Sequence, residues 1–390
     1  MLIHCGLNAK QSTGRRILRD LWSGKWSSVN SRNQRVITHD LRLQELTSWA
    51  NTEAQRLTAV ASVAVALRTV SGDASFRRYF RLTTAHYSYV AVDAPPAHEN
   101  SSVFVKLAGL LRDAAVSAPQ VFAVDYDRGF MLLEDFDDTL YLEPLLQAQL
   151  RGDSALPEQL YQAAITALVT LQRGVDATQL PAYDRARLHN EMALFETWFC
   201  EALLGMHLTA ADRSCIADAF RFLEDAALAQ PQVAVHRDYH SRNLLLLDHA
   251  KFPATASPGI IDFQDAVCGA YSYDLVSLLR DCYITWDDQL VQHWARSFLR
   301  QAAEYSLYPT ISEAQLFRDM DLMGLQRHLK VMGIFSRLCI RDNKPRYLAD
   351  IPLVIRYFLD VSHRYTELLS FRNWFAQTVL PVARSRLNDF

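Results

Sequence analysis

The run His236-Arg237-Asp238-Tyr239-His240-Ser241-Arg242-Asn243 constrains this chain more than any other stretch. It reads as a loop between apolar segments. Leu244-Leu245-Leu246-Leu247 follows it at once, and Gly259-Ile260-Ile261-Asp262-Phe263 comes next, so the two segments look like paired buried strands. Asp238 and Asn243 stand five positions apart, and Asp262 arrives nineteen residues after Asn243, across the predicted hairpin. The linker inside that hairpin, with Pro253 and Pro258, is long for such a turn.

Three polar groups at this spacing can converge on a nucleotide's terminal phosphate, which points to phosphoryl transfer to a hydroxyl. A hydroxyl is a weak nucleophile, so a carboxylate within hydrogen-bond reach must orient it and take its proton. Asp238 is the candidate. Charge on the phosphate oxygens calls for a metal ion on hard oxygen ligands, for which Asn243 and Asp262 are the candidates, with Mg2+ and ATP as the implied cofactors. The H-R-D-x-x-x-x-N pattern alone is only moderately specific; the acid ending an apolar strand and the strands upstream make it so. His236 is expected to be structural, a ring packed beneath the loop. Ser272 is the expected N-cap of a helix whose first turn holds Asp274, and Asp274 is expected to brace the loop.

Around this motif the texture of the chain divides in two. Leu41 to Leu57 has amphipathic helical spacing; Val63 to Val70, Phe76 to Thr83 and Tyr87 to Asp93 read as strands. A helix through Val103 to Ala114 and strands at Pro119 to Val124 and Phe130 to Leu133 follow. Beyond about Asp137 the spacing is mostly helical: Pro157–Leu171, Leu188–Leu204, Ala210–Leu228, Ser272–Tyr283, Glu313–Leu338 and Ile351–Leu369. The predicted class is α+β: an amino-terminal lobe of antiparallel sheet with one main helix (38–136), a hinge near Glu134-Asp135-Phe136, and a larger, mainly helical lobe (137–390). The first 37 residues carry seven Lys or Arg and one acid, without helical patterning, and are expected to be a poorly ordered extension.

With 50% hydrophobic residues in 390, the chain can bury a large core. A net charge of −3 recommends neither nucleic acid nor an anionic membrane as partner, and no apolar run is long enough to span a bilayer. Six cysteines without a C-x-x-C pair suggest reduced thiols, a cytoplasmic setting and no structural zinc.

The His236–Asn243 run with Asp262, together with Gly72-Asp73-Ala74-Ser75-Phe76-Arg77-Arg78-Tyr79-Phe80-Arg81, Asp93-Ala94-Pro95-Pro96 and Gly324-Leu325-Gln326-Arg327-His328-Leu329-Lys330, resembles the aminoglycoside phosphotransferase/choline kinase superfamily. The likeness runs from about Leu41 to the carboxyl terminus and is greatest to the bacterial anomeric kinases of N-acetylmuramate and N-acetylglucosamine in cell-wall recycling. It implies a protein-kinase-like bilobal fold, Asp238 as base, Asn243 and Asp262 as metal ligands, and a monomer acting on a small amino sugar. Many aminoglycoside kinases carry Gly where Arg237 stands. The third strand reads Val90-Ala91-Val92-Asp93, an acid where V-A-I-K places its phosphate-binding lysine. Some other cation must serve, and Arg77, Arg78 and Arg81 are the candidates, with Lys106 as alternative. Ser75 and Phe76 complete the loop side of the expected nucleotide site, and Glu134 and Phe136 the hinge side.

On the acceptor side, the late helices carry Arg280, Asp281, Arg327, His328, Lys330, Arg337 and Arg341. This basic character favours a neutral or anionic sugar over a polycationic aminoglycoside. The alternatives are another acceptor, such as an aminoglycoside, choline or other small alcohol, and a catalytically weak nucleotide-binding regulator.

Overall fold

In a computed structural model of the chain, the described residues are 40–58, 65–71, 76–84, 86–248 and 258–387. The expected extension, 1–37, and Ser75 lie outside them. Helix α1 (Leu41–Thr58) buries Leu46, Trp49, Ala50 and Ala54, at the three- and four-residue spacing that marks one helical face. The strands β1 (Arg68–Ser71), β2 (Arg78–Thr83) and β3 (Ser88–Asp93) follow; helix α2 (Ser101–Asp113) then precedes β4 (Val121–Asp125) and β5 (Phe130–Glu134). They form one antiparallel sheet in the order β1-β2-β3-β5-β4. Asn100 starts α2 by accepting from the Ser102 and Val103 N–H groups.

Alternation along the strands sends Phe80, Leu82, Tyr89, Ala91 and Leu132 to the face covered by α1. Val92, Met131 and Leu133 face the other way, into a core shared with Phe104 and Leu107 of α2 and with Tyr239 and Phe263 beside the motif. Each large apolar side chain buried there stabilises the fold by about 1.5–3 kcal/mol. The sheet is thereby tied to the motif without a break in packing, and Arg42–Phe390 is one compact unit.

The rest is mainly helical: α3 (Leu142–Arg151), α4 (Ala155–Gly174), α5 (Arg185–Leu194), α6 (Ala210–Leu228), α7 (Tyr273–Leu279), α8 (Asp288–Glu304), α9 (Glu313–Ile340), α10 (Ile351–Ser362), α11 (Leu369–Trp374) and α12 (Leu380–Leu387). Short strands β6 (Gln232–Val235), β7 (Leu244–Leu245), β8 (Gly259–Ile260) and β9 (Val267–Ala270) lie between α6 and α7. The expected helix Leu188–Leu204 is instead α5 followed by a π-helical stretch, Phe195–Leu203, and Ile351–Leu369 breaks after Ser362. Periodicity alone does not separate a continuous helix from one whose hydrogen bonding changes midway. A Cβ at Gly333 would overlap the Leu194 backbone, so glycine lets α9 cross the end of α5 closely. Among the described residues no helix is long and apolar enough to cross a membrane, and the described cysteines are free thiols.

Candidate active site

Two small ribbons pin the His236–Asn243 loop. β7 pairs with β8 in the register Leu244↔Ile260, and the Ile261 N–H donates to the Asn243 carbonyl at 3.1 Å, which brings Asn243 and Asp262 together. β6 pairs with β9, Val235 opposite Val267, and holds the loop's other end. The β7–β8 ribbon is the expected hairpin; β9 carried no recognised strand signal, because Val267-Cys268-Gly269-Ala270 is short and contains a glycine.

Within this frame, two buried carboxylates hold the loop by its backbone. Asp274, in the first turn of α7, accepts from the N–H groups of His236 at 2.6 Å and Arg237 at 3.0 Å. Asp281, just past the same helix, accepts from the N–H of Ser241 at 3.0 Å and its hydroxyl at 2.5 Å. Burial pushes the Asp274 carboxyl up to about 7, partly opposed by those two N–H groups. Ser272 does not cap α7 as its sequence position suggested; its hydroxyl donates to the Gln230 side chain at 2.6 Å. The His236 ring bridges the two ribbons: Nε2 donates to the Ile261 carbonyl at 2.9 Å, and Nδ1 faces the Asp238 N–H at 3.3 Å. Burial lowers the His236 pKa to about 4, so the ring is neutral near pH 7.

Arg237 has a φ of 78°, a backbone conformation that favours glycine and carries strain of about 1–3 kcal/mol in another residue. The side chain that glycine would lack has a partner here: its guanidinium pairs with Glu191 of α5. Glu191 also binds Lys330 of α9, at 3.3 Å, and the Tyr183 hydroxyl. Lys330 further donates to the Tyr273 hydroxyl at 3.0 Å. Arg237 and Lys330 thus stand between two carboxylates, Glu191 and Asp238. Burial alone would raise the Asp238 carboxyl, but Lys330, His240 and Arg237 outweigh it and hold it at about 2. Asp238 is therefore ionised at neutral pH.

Beside it, the Asn243 amide nitrogen donates to the Asp238 carbonyl at 2.9 Å and lies 3.4 Å from an Asp262 oxygen. The Asn243 side-chain oxygen is left for another partner. Asp262 is open to solvent on one edge, yet the protein walls around it raise its carboxyl above the ordinary range, with Gln264 donating at 2.8 Å as its neutral neighbour. A carboxylate oxygen and an amide oxygen are hard donors of the kind Mg2+ takes. No group of three or more His, Cys, Asp or Glu among the described residues is placed to hold a metal, so an ion here would draw its remaining ligands from water and phosphate.

Asn243 and Asp262 open onto a cavity of about 360 Å³ between the sheet and the motif. Val90 and Leu133 line it from the sheet, and Leu245 and Ile261 from the β7–β8 ribbon. Of the candidate nucleotide residues, Arg77, Arg81, Glu134 and Phe136 line this cavity. Arg77 pairs with Glu99 at 3.0 Å and lies over the Phe104 ring. Arg81 is held by Asp135 and Asp138, and Glu134 pairs with Arg112 at 3.1 Å. Arg78 is not brought to the cavity. Strand alternation turns it to the α1 face, where it and Arg42 clasp the fully buried Asp93. Asp93 is therefore no acid in the phosphate site; it points to the opposite face of the sheet. Phe76 is exposed and stacks on His98 instead of lining the cavity, and Lys106 donates to the Gln179 carbonyl. Arg242, not singled out from sequence, lines the cavity beside Asn243, its guanidinium 3.7 Å from the Tyr283 ring centre. Its place next to Asn243 in the loop was the available signal.

None of the five acceptor candidates lines that cavity. Asp281 holds Ser241, Arg280 pairs with Asp321 at 3.5 Å, and Arg327 donates to the Ser277 hydroxyl at 2.6 Å. His328 is buried against Tyr357. Of the five, Lys330 acts most strongly on the charge of Asp238, and Arg327 interacts with it too. Glu191 was missed because nothing in its local spacing relates α5 to a loop more than forty residues later.

A family model described as "Phosphotransferase enzyme family" matches residues 66–311. An N-acetylmuramate/N-acetylglucosamine kinase of Pseudomonas putida is 42% identical over 335 residues, covering 85% of this chain and 94% of that protein. An enzyme of the same name from Neisseria meningitidis is 40% identical over 299 residues, 76% of this chain and 86% of its own length. Among solved structures, an ethanolamine kinase of Plasmodium vivax aligns over 90% of this chain and 94% of its own, with a TM-score of 0.56 at 11% identity. Choline kinase LicA from Streptococcus pneumoniae aligns over 80% and 99%, with a TM-score of 0.51 at 11% identity. At such identities the structural likeness speaks for the fold alone.

Proposed function

Given that this chain belongs to the phosphotransferase enzyme family, we propose that it is an ATP-dependent kinase that phosphorylates the anomeric hydroxyl of N-acetylmuramate and N-acetylglucosamine to the sugar 1-phosphate. The observation that carries the chemistry is an ionised Asp238 beside Asn243 and Asp262 at the mouth of a nucleotide-sized cavity. The acceptor comes from the names of relatives that match this chain over most of its length. In this reading residues 38–136 carry the nucleotide, and 137–390 carry the catalytic loop and the sugar, in a cytoplasmic monomer that recycles cell-wall sugars.

Asp238 receives the proton of the acceptor hydroxyl and orients its oxygen toward the terminal phosphate. Its low pKa makes it a weak base, which suits an anomeric hydroxyl, more acidic than other sugar hydroxyls. Asn243 and Asp262 would hold Mg2+, which when bound offsets charge on the phosphate oxygens. Arg77 and Arg242 supply fixed positive charge on the two walls of the cavity near the phosphates. The apolar walls of Val90, Leu133 and Ile261 take the base of the nucleotide and exclude water. Positioning and electrostatics thereby supply most of the acceleration.

Turnover of Mg-ATP against N-acetylmuramate, N-acetylglucosamine, kanamycin and choline tests the assignment. Sugar-dependent ADP release with the first two is expected. Turnover confined to kanamycin or choline would replace the acceptor, and Mg-ATP binding without any turnover would make the chain a regulator.

A further inference from the structure

The late helices carry more positive charge than the chemistry described so far uses. Several of these cations have an anionic partner, Arg280 with Asp321, Lys330 with Glu191 and Arg341 with Asp342, and Arg327 donates to the Ser277 hydroxyl. The Arg337 side chain has neither a hydrogen bond nor an ion pair among the described residues, and its Nε is buried. The side chain is only partly exposed, and its pKa is lowered by burial and by the neighbouring Arg341. The anions that act on it, Asp342 and Glu191, are bonded to other cations, Arg341 for the one and Arg237 and Lys330 for the other.

Its position says where an anion of its own would lie. Arg337 stands seven residues after Lys330 on α9, close to two turns, so both project from nearly the same helical face about 10 Å apart along the axis. Side chains on a helix lean toward its amino terminus, which brings the Arg337 guanidinium back toward Lys330. Glu191, the partner of Lys330 and Arg237, is also close enough to act on the charge of Arg337. Arg337 thus lies on the same face of α9 as Lys330, the cation that acts on Asp238, and within electrostatic reach of Glu191.

The two proposed sugars differ by a single ether-linked carboxylate, present in N-acetylmuramate and absent from N-acetylglucosamine, on the ring remote from the reacting hydroxyl. We propose that Arg337 binds that carboxylate and sets the enzyme's discrimination between the anionic and the neutral sugar. The inference rests on the acceptor reading above. A guanidinium suits the task because its fork of donors can bind both carboxylate oxygens at once. A sugar without the carboxylate leaves Arg337 as it stands in the free protein, so little is lost with the neutral acceptor.

The test compares steady-state kcat/KM of the full-length enzyme and its Arg337→Leu and Arg337→Lys variants for both sugars at saturating Mg-ATP. In Arg337→Leu the ratio of kcat/KM for N-acetylmuramate to that for N-acetylglucosamine should fall about 10-fold or more. The change should lie mainly in KM, because the contact is made to a group that does not react. Arg337→Lys should restore part of the ratio. A thermal melt superimposing on the wild type's is expected for both variants, since the side chain makes no described bond. An unchanged ratio, whether both sugars fall together or neither does, overturns the proposal while leaving the acceptor reading intact. A wild type that phosphorylates neither sugar overturns both.

Discussion

On the sheet side of the cavity, charge is held side chain to side chain. Arg77 is tied to Glu99, and Arg81 to Asp135 and Asp138. On the loop side the main holding contacts run from side chain to backbone, with Asp274 on the N–H groups of His236 and Arg237 and Asp281 on that of Ser241. A side-chain pair can exchange its partner for a phosphate and remain satisfied. A backbone N–H brace cannot let go without moving the loop, and a buried N–H left without its acceptor costs about 1–3 kcal/mol. The sheet wall is thus built to rearrange on a ligand, and the loop to keep its shape.

The largest expected effect tests the rigid side. Asp238→Asn should lower turnover by about three orders of magnitude or more while Mg-ATP binding, measured by calorimetry, stays within a few-fold. Retained turnover would remove Asp238 from the proton transfer.

Next comes the brace itself. Burial lifts Asp274 from an ordinary 3.8 to about 7, so between those values the folded protein keeps a proton that the unfolded chain releases. Its contribution to stability is therefore full below about pH 4 and is lost as pH rises through about 7. Asp274→Asn cannot titrate. From pH 5 to pH 8 the wild type should lose about 1 kcal/mol or more of unfolding free energy relative to the variant in urea titrations. Parallel pH curves for the two proteins would count against a raised pKa at this brace.

The smallest effect distinguishes two adjacent arginines on opposite faces of β2. Arg77→Ala should raise KM for ATP roughly 10-fold, the loss of one charge-assisted contact, and Arg78→Ala less than about 2-fold. Equal effects would mean that strand alternation does not decide which arginine meets the phosphates.

The readable part of the site was the part close in sequence. Asp238 and Asn243 share one loop and Asp262 ends the strand of the next hairpin, so spacing sufficed to relate them, and an Asp in the first turn of α7 was recognisable as a brace. Arginines 77, 78 and 81 were equivalent by composition, yet only 77 and 81 reach the cavity. Which face of β2 meets α1 is settled by packing of Leu46 and Trp49 on Phe80 and Leu82. Asp281 read as a sugar contact, and its carboxylate accepts from the Ser241 N–H, a partner that spacing did not suggest.

From its sequence alone the chain determined its α+β class, the order of the elements as far as β5, and the nearness of Asp238, Asn243 and Asp262. Those properties depend on local periodicity and short spacings, which survive without knowledge of what packs on what. Only the tertiary structure decided the pairing of Arg237 and Lys330 through Glu191, the turning of Arg78 and Asp93 away from the cavity, and the placing of Arg337 without a bonded partner among the described residues. Each depends on charges brought together from distant elements, where the low dielectric of a packed interior makes an ion's partner, or its lack of one, matter most.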